Sequence, residues 1–256
     1  MPCLASLALA LLLAAPAPPA ANRRTLAVAA AANLKAAAEE LKAAFEAAQP
    51  GVEVALTFGA SGTFFFQLQN GAPFDLFLSA DRDYPARLIE AGLGTAADER
   101  VYAVGRLVAW LPPGSTLDLE GRGLAALAAP SVKRIAIANP AVAPFGRATM
   151  ATFRRAGIEQ AVKGKLVLGT SVAQAAQFAT TGAADVAFLP RSLTTAPGLR
   201  AGRVVPVDEA LHPPIEQSGL VLAGAREPAL ARAFLAFLCE EKGRAILANY
   251  GYGLPQ

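Results

Sequence analysis

Leu26-Ala27-Val28-Ala29-Ala30-Ala31-Ala32-Asn33-Leu34-Lys35 is an apolar run that passes through a polar residue into a helical pattern. Residues 26–31 predict a buried strand, and residues 34–48 predict an amphipathic helix because their apolar side chains recur at helical spacing. Gln49-Pro50-Gly51 predicts where that helix ends. A strand joined to a helix by so short a polar turn is the basic unit of an α/β protein.

The same unit recurs along the chain. Strands are predicted at 52–58, 75–79, 106–111, 134–138, 166–168, 185–189 and 215–222, and two helices at 227–240 and 241–250. The alternation of apolar strands with helices predicts parallel sheets covered by helices on both faces. We expect two α/β lobes with a ligand cleft between them. The predicted limits are 22–103 with 213–256 for a discontinuous lobe I, and 104–212 for lobe II.

The first 21 residues are predicted to be a signal peptide. An uncharged apolar run from Leu4 to Ala15 is followed by small residues and prolines. The alternative, a membrane anchor, is disfavoured because a helix that spans a bilayer needs about 20 apolar residues. The chain is therefore expected to be exported to the periplasm.

Composition argues against several classes of function. The chain has a net charge of only +3, and its Lys and Arg residues are scattered along the sequence, which disfavours nucleic-acid binding. His212 is the one histidine, in a predicted loop, and Cys239 is the one cysteine after the signal, at a predicted buried helix position. Zinc ligand sets are therefore missing, and no residue is expected to be catalytic or to ligate a metal cation directly. Gly59-Ala60-Ser61-Gly62 resembles a nucleophile elbow, but its second glycine comes one position too early.

Four junctions between strands and helices carry hydrogen-bond donors instead. They lie at Asn33, at Ser61, at Pro144-Phe145-Gly146 and at Thr170-Ser171-Val172. The first turn of a helix leaves backbone N–H groups unpaired and carries partial positive charge, which suits an anion. Each junction alone is better explained by ordinary helix capping. The four together favour an anion-binding cleft, because open α/β sheets bind ligands beyond the carboxyl ends of their strands.

Several longer motifs resemble the periplasmic molybdate-binding proteins of ABC importers, the ModA family. The most specific is the block Gly71-Ala72-Pro73-Phe74-Asp75-Leu76-Phe77-Leu78-Ser79-Ala80-Asp81, and the likeness extends to the terminal Gly251-Tyr252-Gly253-Leu254-Pro255-Gln256. The resemblance implies a type II periplasmic binding protein fold that closes on one tetrahedral oxyanion, molybdate or tungstate.

The resemblance also implies which groups bind the anion. Asn33 would supply a side-chain amide and a backbone N–H, Ser61 a hydroxyl and an N–H, and Phe145 and Val172 one backbone N–H each. Ala32 and Leu189 occupy positions where some relatives carry a hydroxyl. All donors are neutral, which fits a dianion that has no proton to donate.

The expected function is capture of molybdate or tungstate by a monomeric, non-enzymatic binding protein that needs no cofactor. The protein would deliver the anion to the membrane permease of an ABC importer. Alternatives are a binding protein for sulfate, chromate or phosphate, an enzyme on the same two-lobed fold, and a regulatory effector domain. A hydrolase or transferase would need a base near Ser61, and His212 is the one histidine available.

Overall fold

The computed structural model describes residues 23–255, so the predicted signal peptide lies outside the described residues. This part of the chain forms ten strands: β1 Arg24–Ala31, β2 Val52–Gly59, β3 Leu76–Ser79, β4 Glu99–Gly105, β5 Leu107–Leu111, β6 Ile135–Ala138, β7 Leu166–Gly169, β8 Val186–Pro190, β9 Arg203–Pro206 and β10 Ile215–Val221. The helices are α1 Lys35–Ala48, α2 Ser61–Gln69, α3 Asp83–Glu90, α4 Leu119–Arg122, α5 Pro144–Arg155, α6 Glu159–Val162, α7 Val172–Thr180, α8 Pro228–Cys239 and α9 Glu241–Asn249.

The strands form two five-stranded sheets, one in each lobe. The first has the order β2-β1-β3-β10-β4, and the second has the order β7-β6-β8-β5-β9. The chain leaves the first sheet after β4 and returns to it as β10. The two α/β lobes predicted from sequence are confirmed, whereas the predicted residue limits stay a prediction; the limit at 103/104 falls inside β4.

Both sheets are mixed, so the expectation of parallel sheets was wrong in part. β1 is parallel to β2 and β3, and β6 is parallel to β7 and β8. β10 runs antiparallel to both of its neighbours, and so does β5. These are the first strands formed after the chain crosses from one sheet to the other, so each enters its sheet from the opposite end.

Two strands were not predicted from sequence. β4 begins with Glu99-Arg100, and β9 has only four residues, with Arg203 and Pro206 at its ends. Each lies at the edge of its sheet. Edge strands are exposed on one side and tolerate charged residues and proline, which hides the apolar pattern of a buried strand.

Strand register aligns the four junctions in pairs. Ala31 pairs with Gly59, so Asn33 and Ser61 each lie two residues beyond paired strand ends. In the second sheet Ala138 pairs with Gly169, so the segments leading to α5 and α7 leave the same edge. In each lobe, parallel pairing therefore brings two junctions together at the carboxyl ends of neighbouring strands.

One apolar core cluster extends across both lobes. It joins Ala31, Ala32, Ala60 and Ala80 of the first lobe to the second-lobe core around Trp110. A separate cluster of the first lobe packs α1 against α8, where the rings of Phe45 and Phe234 lie 4.9 Å apart between centroids. No helix among residues 23–255 is both long and apolar enough to cross a bilayer.

Candidate functional site

The candidate site lies between the lobes, beyond the carboxyl ends of the parallel strands of each sheet. Ala32 and Ala60, each one residue before a predicted donor of the first lobe, belong to the same buried cluster as Phe145 and Val172 of the second. The 3-10 turn 32–34 contacts α7, and the backbone N–H of Gly62 donates to the Val142 carbonyl across the cleft at 2.8 Å. The lobes are therefore closed on each other, and the predicted site residues lie on both sides of the contact.

Asn33 does not cap a helix. It lies inside the 3-10 turn Ala32–Leu34, is 1% exposed, and makes no capping hydrogen bond. Its Nδ2 instead donates to Gln217 Oε1 and to the Tyr252 hydroxyl, both at 2.7 Å. Its carbonyl accepts from the Ser192 hydroxyl at 2.8 Å. Capping, the alternative that the sequence left open, fails at this junction.

The orientation of the Asn33 amide follows from its partners. Gln217 Nε2 faces two carbonyl oxygens, those of Ala80 at 3.2 Å and Ile215 at 2.9 Å, so its Oε1 must point at Asn33. Asn33 must then present its Nδ2, and both N–H groups of that nitrogen donate within the protein. Burial raises the pKa of Tyr252 above its ordinary value, which keeps the phenol neutral. The group that Asn33 can still offer an anion is its backbone N–H.

These partners of Asn33 were not identified as site residues from sequence. Ser192, Gln217 and Tyr252 lie 159, 184 and 219 residues from it along the chain. Of the three, only Tyr252 belongs to a motif that resembles the ModA family, the terminal Gly251-Tyr252-Gly253. No local pattern indicates the other two, because their role depends on the folded arrangement.

Ser61 is the first residue of α2 and is 1% exposed. Its Oγ accepts the backbone N–H of Ala80 at 2.9 Å, which fixes the oxygen against the end of β3. No acceptor for its hydroxyl hydrogen is found among residues 23–255, so the hydroxyl keeps one free donor. Capping fails here too, since Ala60 is the capping residue and its side chain makes no hydrogen bond.

The two junctions of the second lobe differ from each other. At α5, Pro144 is the first helical residue, and Phe145 is buried with its N–H in the first turn. A Cβ on Gly146 would lie 2.2 Å from the Ala138 carbonyl oxygen, so the missing side chain lets α5 begin directly against β6. At α7, Ser171 caps the helix by accepting from Gln174 N–H at 3.4 Å, and Val172 follows it.

The positions that depart from the family pattern offer no hydroxyl in the structure. Ala32 is 4% exposed within the 3-10 turn, and Leu189 is fully buried in β8, where it pairs with Val108. Leu189 is part of the apolar cluster that spans the lobes. At these two positions the chain contributes packing instead of donors.

Aspartates at strand ends have structural partners. Asp75 accepts from the N–H groups of Ala27, Arg226 and Glu227, at 2.8, 2.6 and 3.2 Å. Asp185 Oδ2 accepts from the N–H groups of Lys133 and Arg134 at 2.7 and 2.8 Å. Both carboxylates are therefore engaged by backbone N–H groups of neighbouring segments.

Asp81 forms an ion pair with Arg147 of the opposite lobe. Burial raises the pKa of its carboxyl above the ordinary value of 3.8, although Arg147 opposes that shift. The carboxylate beside the cleft thus has its own cation.

His212 lies in the loop between the 3-10 turn Glu209–Leu211 and β10, as predicted, but it is buried, with 4% of its surface exposed. Its Nδ1 lies 2.8 Å from the Pro213 carbonyl oxygen, and its Nε2 has no partner among the described residues. No hydrogen bond within residues 23–255 joins its ring to the Ser61 hydroxyl. Within the same range no group of three or more His, Cys, Asp or Glu side chains is arranged to hold a metal ion.

Cys239, the last residue of α8, is half-buried, and its Sγ lies 3.9 Å from the Val101 carbonyl oxygen. Burial raises the pKa of this thiol. A thiol that stays protonated is a weak nucleophile. The predicted helix position is confirmed, whereas the predicted full burial was wrong, because Cys239 packs at the margin of the first-lobe core.

Comparison with known proteins agrees with this geometry. Residues 26–253 match the family described as bacterial extracellular solute-binding protein. The molybdate-binding protein ModA of Azotobacter vinelandii is 38% identical over 237 residues, covering 92% of this chain and 92% of the relative. ModA of Rhodobacter capsulatus is 36% identical over 245 residues, covering 96% of this chain and 94% of the relative.

A solved structure supports the same grouping. The periplasmic molybdate-binding protein of Azotobacter vinelandii superposes with a TM-score of 0.83 at 31% identity, covering 90% of this chain and 100% of that one. The match extends over both lobes, so the type II periplasmic binding protein fold implied by the resemblance is confirmed. The chain belongs to the bacterial extracellular solute-binding protein family and groups with its ModA members.

Proposed function

We propose that this protein binds molybdate or tungstate between its lobes and delivers the anion to the permease of an ABC importer. The observation that carries the proposal is the buried set of neutral donors at the facing sheet edges. It consists of the backbone N–H groups of Asn33, Phe145 and Val172 with the hydroxyl and N–H of Ser61. Names of relatives that cover nine-tenths of the chain support molybdate as the ligand.

The chemistry of the donor set fits a bare dianion. Molybdate and tungstate carry no proton at neutral pH, so every group around them should donate. Backbone N–H groups at helix N-termini and a serine hydroxyl do so without placing a full charge in the cleft. Asn33 has a narrower role than the resemblance implied, because its side-chain amide orients the turn and leaves the backbone N–H for the anion.

We further propose that the protein acts without turnover and without a cofactor. Ser61 has a free hydroxyl but no hydrogen-bonded base among residues 23–255, and a serine nucleophile needs one. The relatives are named as binding proteins, and one is described as periplasmic. Capture in the periplasm as a monomer, followed by transfer to the permease, is the role that fits these features.

A thermal-shift panel tests the ligand. The chain from residue 22 onward is heated with molybdate, tungstate, sulfate or phosphate at equal concentration. Molybdate and tungstate are expected to raise the melting temperature more than the other two, because a cavity sized for the larger oxyanions makes poorer contacts with sulfate. Equal or greater stabilisation by sulfate would overturn the assignment and favour the sulfate alternative.

A further inference from the structure

A carboxylate and a guanidinium from opposite lobes meet beside the site. Asp81 follows β3 of the first lobe, and its side chain is only 13% exposed. Arg147, in the first turns of α5 in the second lobe, donates to it from an NH2 group. The Asp81 carboxylate also accepts from the Ser79 hydroxyl at 2.9 Å and the Tyr84 N–H at 3.3 Å.

The same guanidinium makes further contacts across the cleft. Its other NH group donates to the Tyr84 hydroxyl at 3.2 Å, and its carbon lies 5.1 Å from the centre of the Tyr84 ring. Tyr84 in turn donates to the Ala141 carbonyl of the second lobe at 3.4 Å. The second carboxylate near the arginine, Asp83, lies 3.7 Å away and is largely exposed. All of these contacts except those within Asp81's own loop join one lobe to the other.

Each residue of the ion pair lies next to a segment that holds or contains a proposed anion donor. Asp81 follows Ala80, whose N–H holds the Ser61 hydroxyl oxygen. Arg147 follows Phe145 by two residues on α5. Neither side chain belongs to the donor set, yet Arg147 lies on the same helix as Phe145, and Asp81 adjoins the residue whose N–H hydrogen-bonds to Ser61.

Closing the lobes places Asp81 in an unfavourable position for a charge. Burial raises the pKa of its carboxyl even with Arg147 opposing that shift, so the charged form loses hydration that the arginine only partly replaces. A buried carboxylate that loses its cation is strongly unfavourable, whereas a pair replaced by neutral groups costs little. A dianion bound nearby would add repulsion to an unpaired Asp81.

We propose that Arg147 is a positioning residue for anion capture, which neutralises the Asp81 carboxylate as the lobes close and so holds the binding-competent closed state. It acts through Asp81 and not through contact with the anion. This inference rests on the proposed function, since the closed state is the one that encloses an oxyanion.

Four variants titrated with sodium molybdate by isothermal calorimetry test the inference. Arg147→Gln should weaken binding roughly tenfold, because it leaves Asp81 buried without a cation. Asp81→Asn should stay within about threefold of the unmodified chain, and Asp81→Asn combined with Arg147→Gln should return to that range. Arg154→Gln is the matched control, because Arg154 lies on the same helix but pairs with Glu159 inside one lobe at 3.2 Å.

The double variant separates this role from its competitors. If Arg147 touched the anion or merely stabilised α5, removing the Asp81 charge would not restore affinity. A double variant as weak as Arg147→Gln, or an Arg147→Gln variant that binds like the unmodified chain, would therefore overturn the inference. Melting temperatures of the four ligand-free variants identify any that fail to fold.

A separate measurement distinguishes failure of the proposed function from failure of the Arg147 inference. If the unmodified chain binds none of the four oxyanions, the proposed function falls, and small-angle X-ray scattering of the ligand-free proteins then decides the role of Arg147. The expected result is a larger radius of gyration for Arg147→Gln than for the unmodified chain, reversed in the double variant. Equal radii in all three would contradict the inference.

Discussion

At the residue scale, Ser61 and Asn33 are buried polar side chains whose hydrogen bonds do not serve their own helices. The Ser61 hydroxyl oxygen accepts from the Ala80 N–H and keeps its own hydrogen free. The Asn33 side-chain amide donates both of its hydrogens, one to Gln217 and one to Tyr252. Burying such groups is costly unless they are paired. The two side chains therefore differ: the Ser61 hydroxyl keeps a hydrogen that is free to donate, whereas the Asn33 amide is fully used in holding its own turn.

Replacing Ser61 by aspartate is expected to abolish molybdate binding while the protein still folds. A carboxylate at the first position of a helix is compatible with the helix dipole, but it would lie against the dianion. Isothermal calorimetry measures the affinity, and circular dichroism checks the fold. Measurable binding with unchanged affinity would place the site elsewhere.

Ser61→Ala is the milder companion change. It removes the hydroxyl donor and leaves the Ala80 N–H without its acceptor, so affinity should fall roughly tenfold and the free energy of unfolding by about 1–3 kcal/mol. Denaturant unfolding measures the second quantity. A variant with full stability and full affinity would show that the hydroxyl has neither role.

At the element scale, the N-terminus of α5 depends on Gly146. The helix begins so close to β6 that a Cβ at this position would meet the Ala138 carbonyl oxygen at 2.2 Å. Backbone cannot yield as a flexible side chain does, so a larger residue must push the helix away from the sheet. The Phe145 N–H, one residue earlier, would move with it.

Gly146→Ala should therefore weaken molybdate binding roughly tenfold or more and destabilise the protein by about 1–3 kcal/mol. Gly164→Ala is the matched control in the same lobe, because nothing lies within 4 Å of a Cβ at that position. Calorimetric titration and thermal melting of both variants measure the difference. If the two variants behave alike, the position of α5 does not set affinity.

At the scale of the whole molecule, two sheets share one core. The cluster that contains Ala32 and Ala60 from the first lobe continues into the second around Phe145 and Val172. The interlobe bond from Gly62 N–H to the Val142 carbonyl, at 2.8 Å, lies in the same region. A ligand held there contacts both lobes, so its binding energy should couple their unfolding.

Differential scanning calorimetry tests this coupling. At free molybdate about 1,000 times Kd, the protein should gain roughly 4 kcal/mol of stability and unfold in one transition. A ligand that bound a single lobe would shift one transition and leave another in place. Two transitions, of which only one moves with molybdate, would contradict a site between the lobes.

The sequence by itself determined those features that depend on residues close to one another along the chain. Apolar runs at strand spacing and amphipathic runs at helical spacing predicted most elements, and motifs such as 71–81 indicated the family. The edge strands β4 and β9 were not predicted, because exposure on one side allows charged residues there. Ser61 could be proposed as a site residue because serine before a glycine at a helix start is visible in a short window.

The tertiary structure decided what depends on distant partners. Antiparallel pairing of β5 and β10 follows from where the chain crosses between sheets. The orientation of the Asn33 amide follows from Gln217 and Tyr252, which lie 184 and 219 residues away along the chain. The pairing of Asp81 with Arg147 likewise joins two lobes. A hydrogen bond or ion pair between remote residues leaves no periodic trace in the chain, so only folding reveals it.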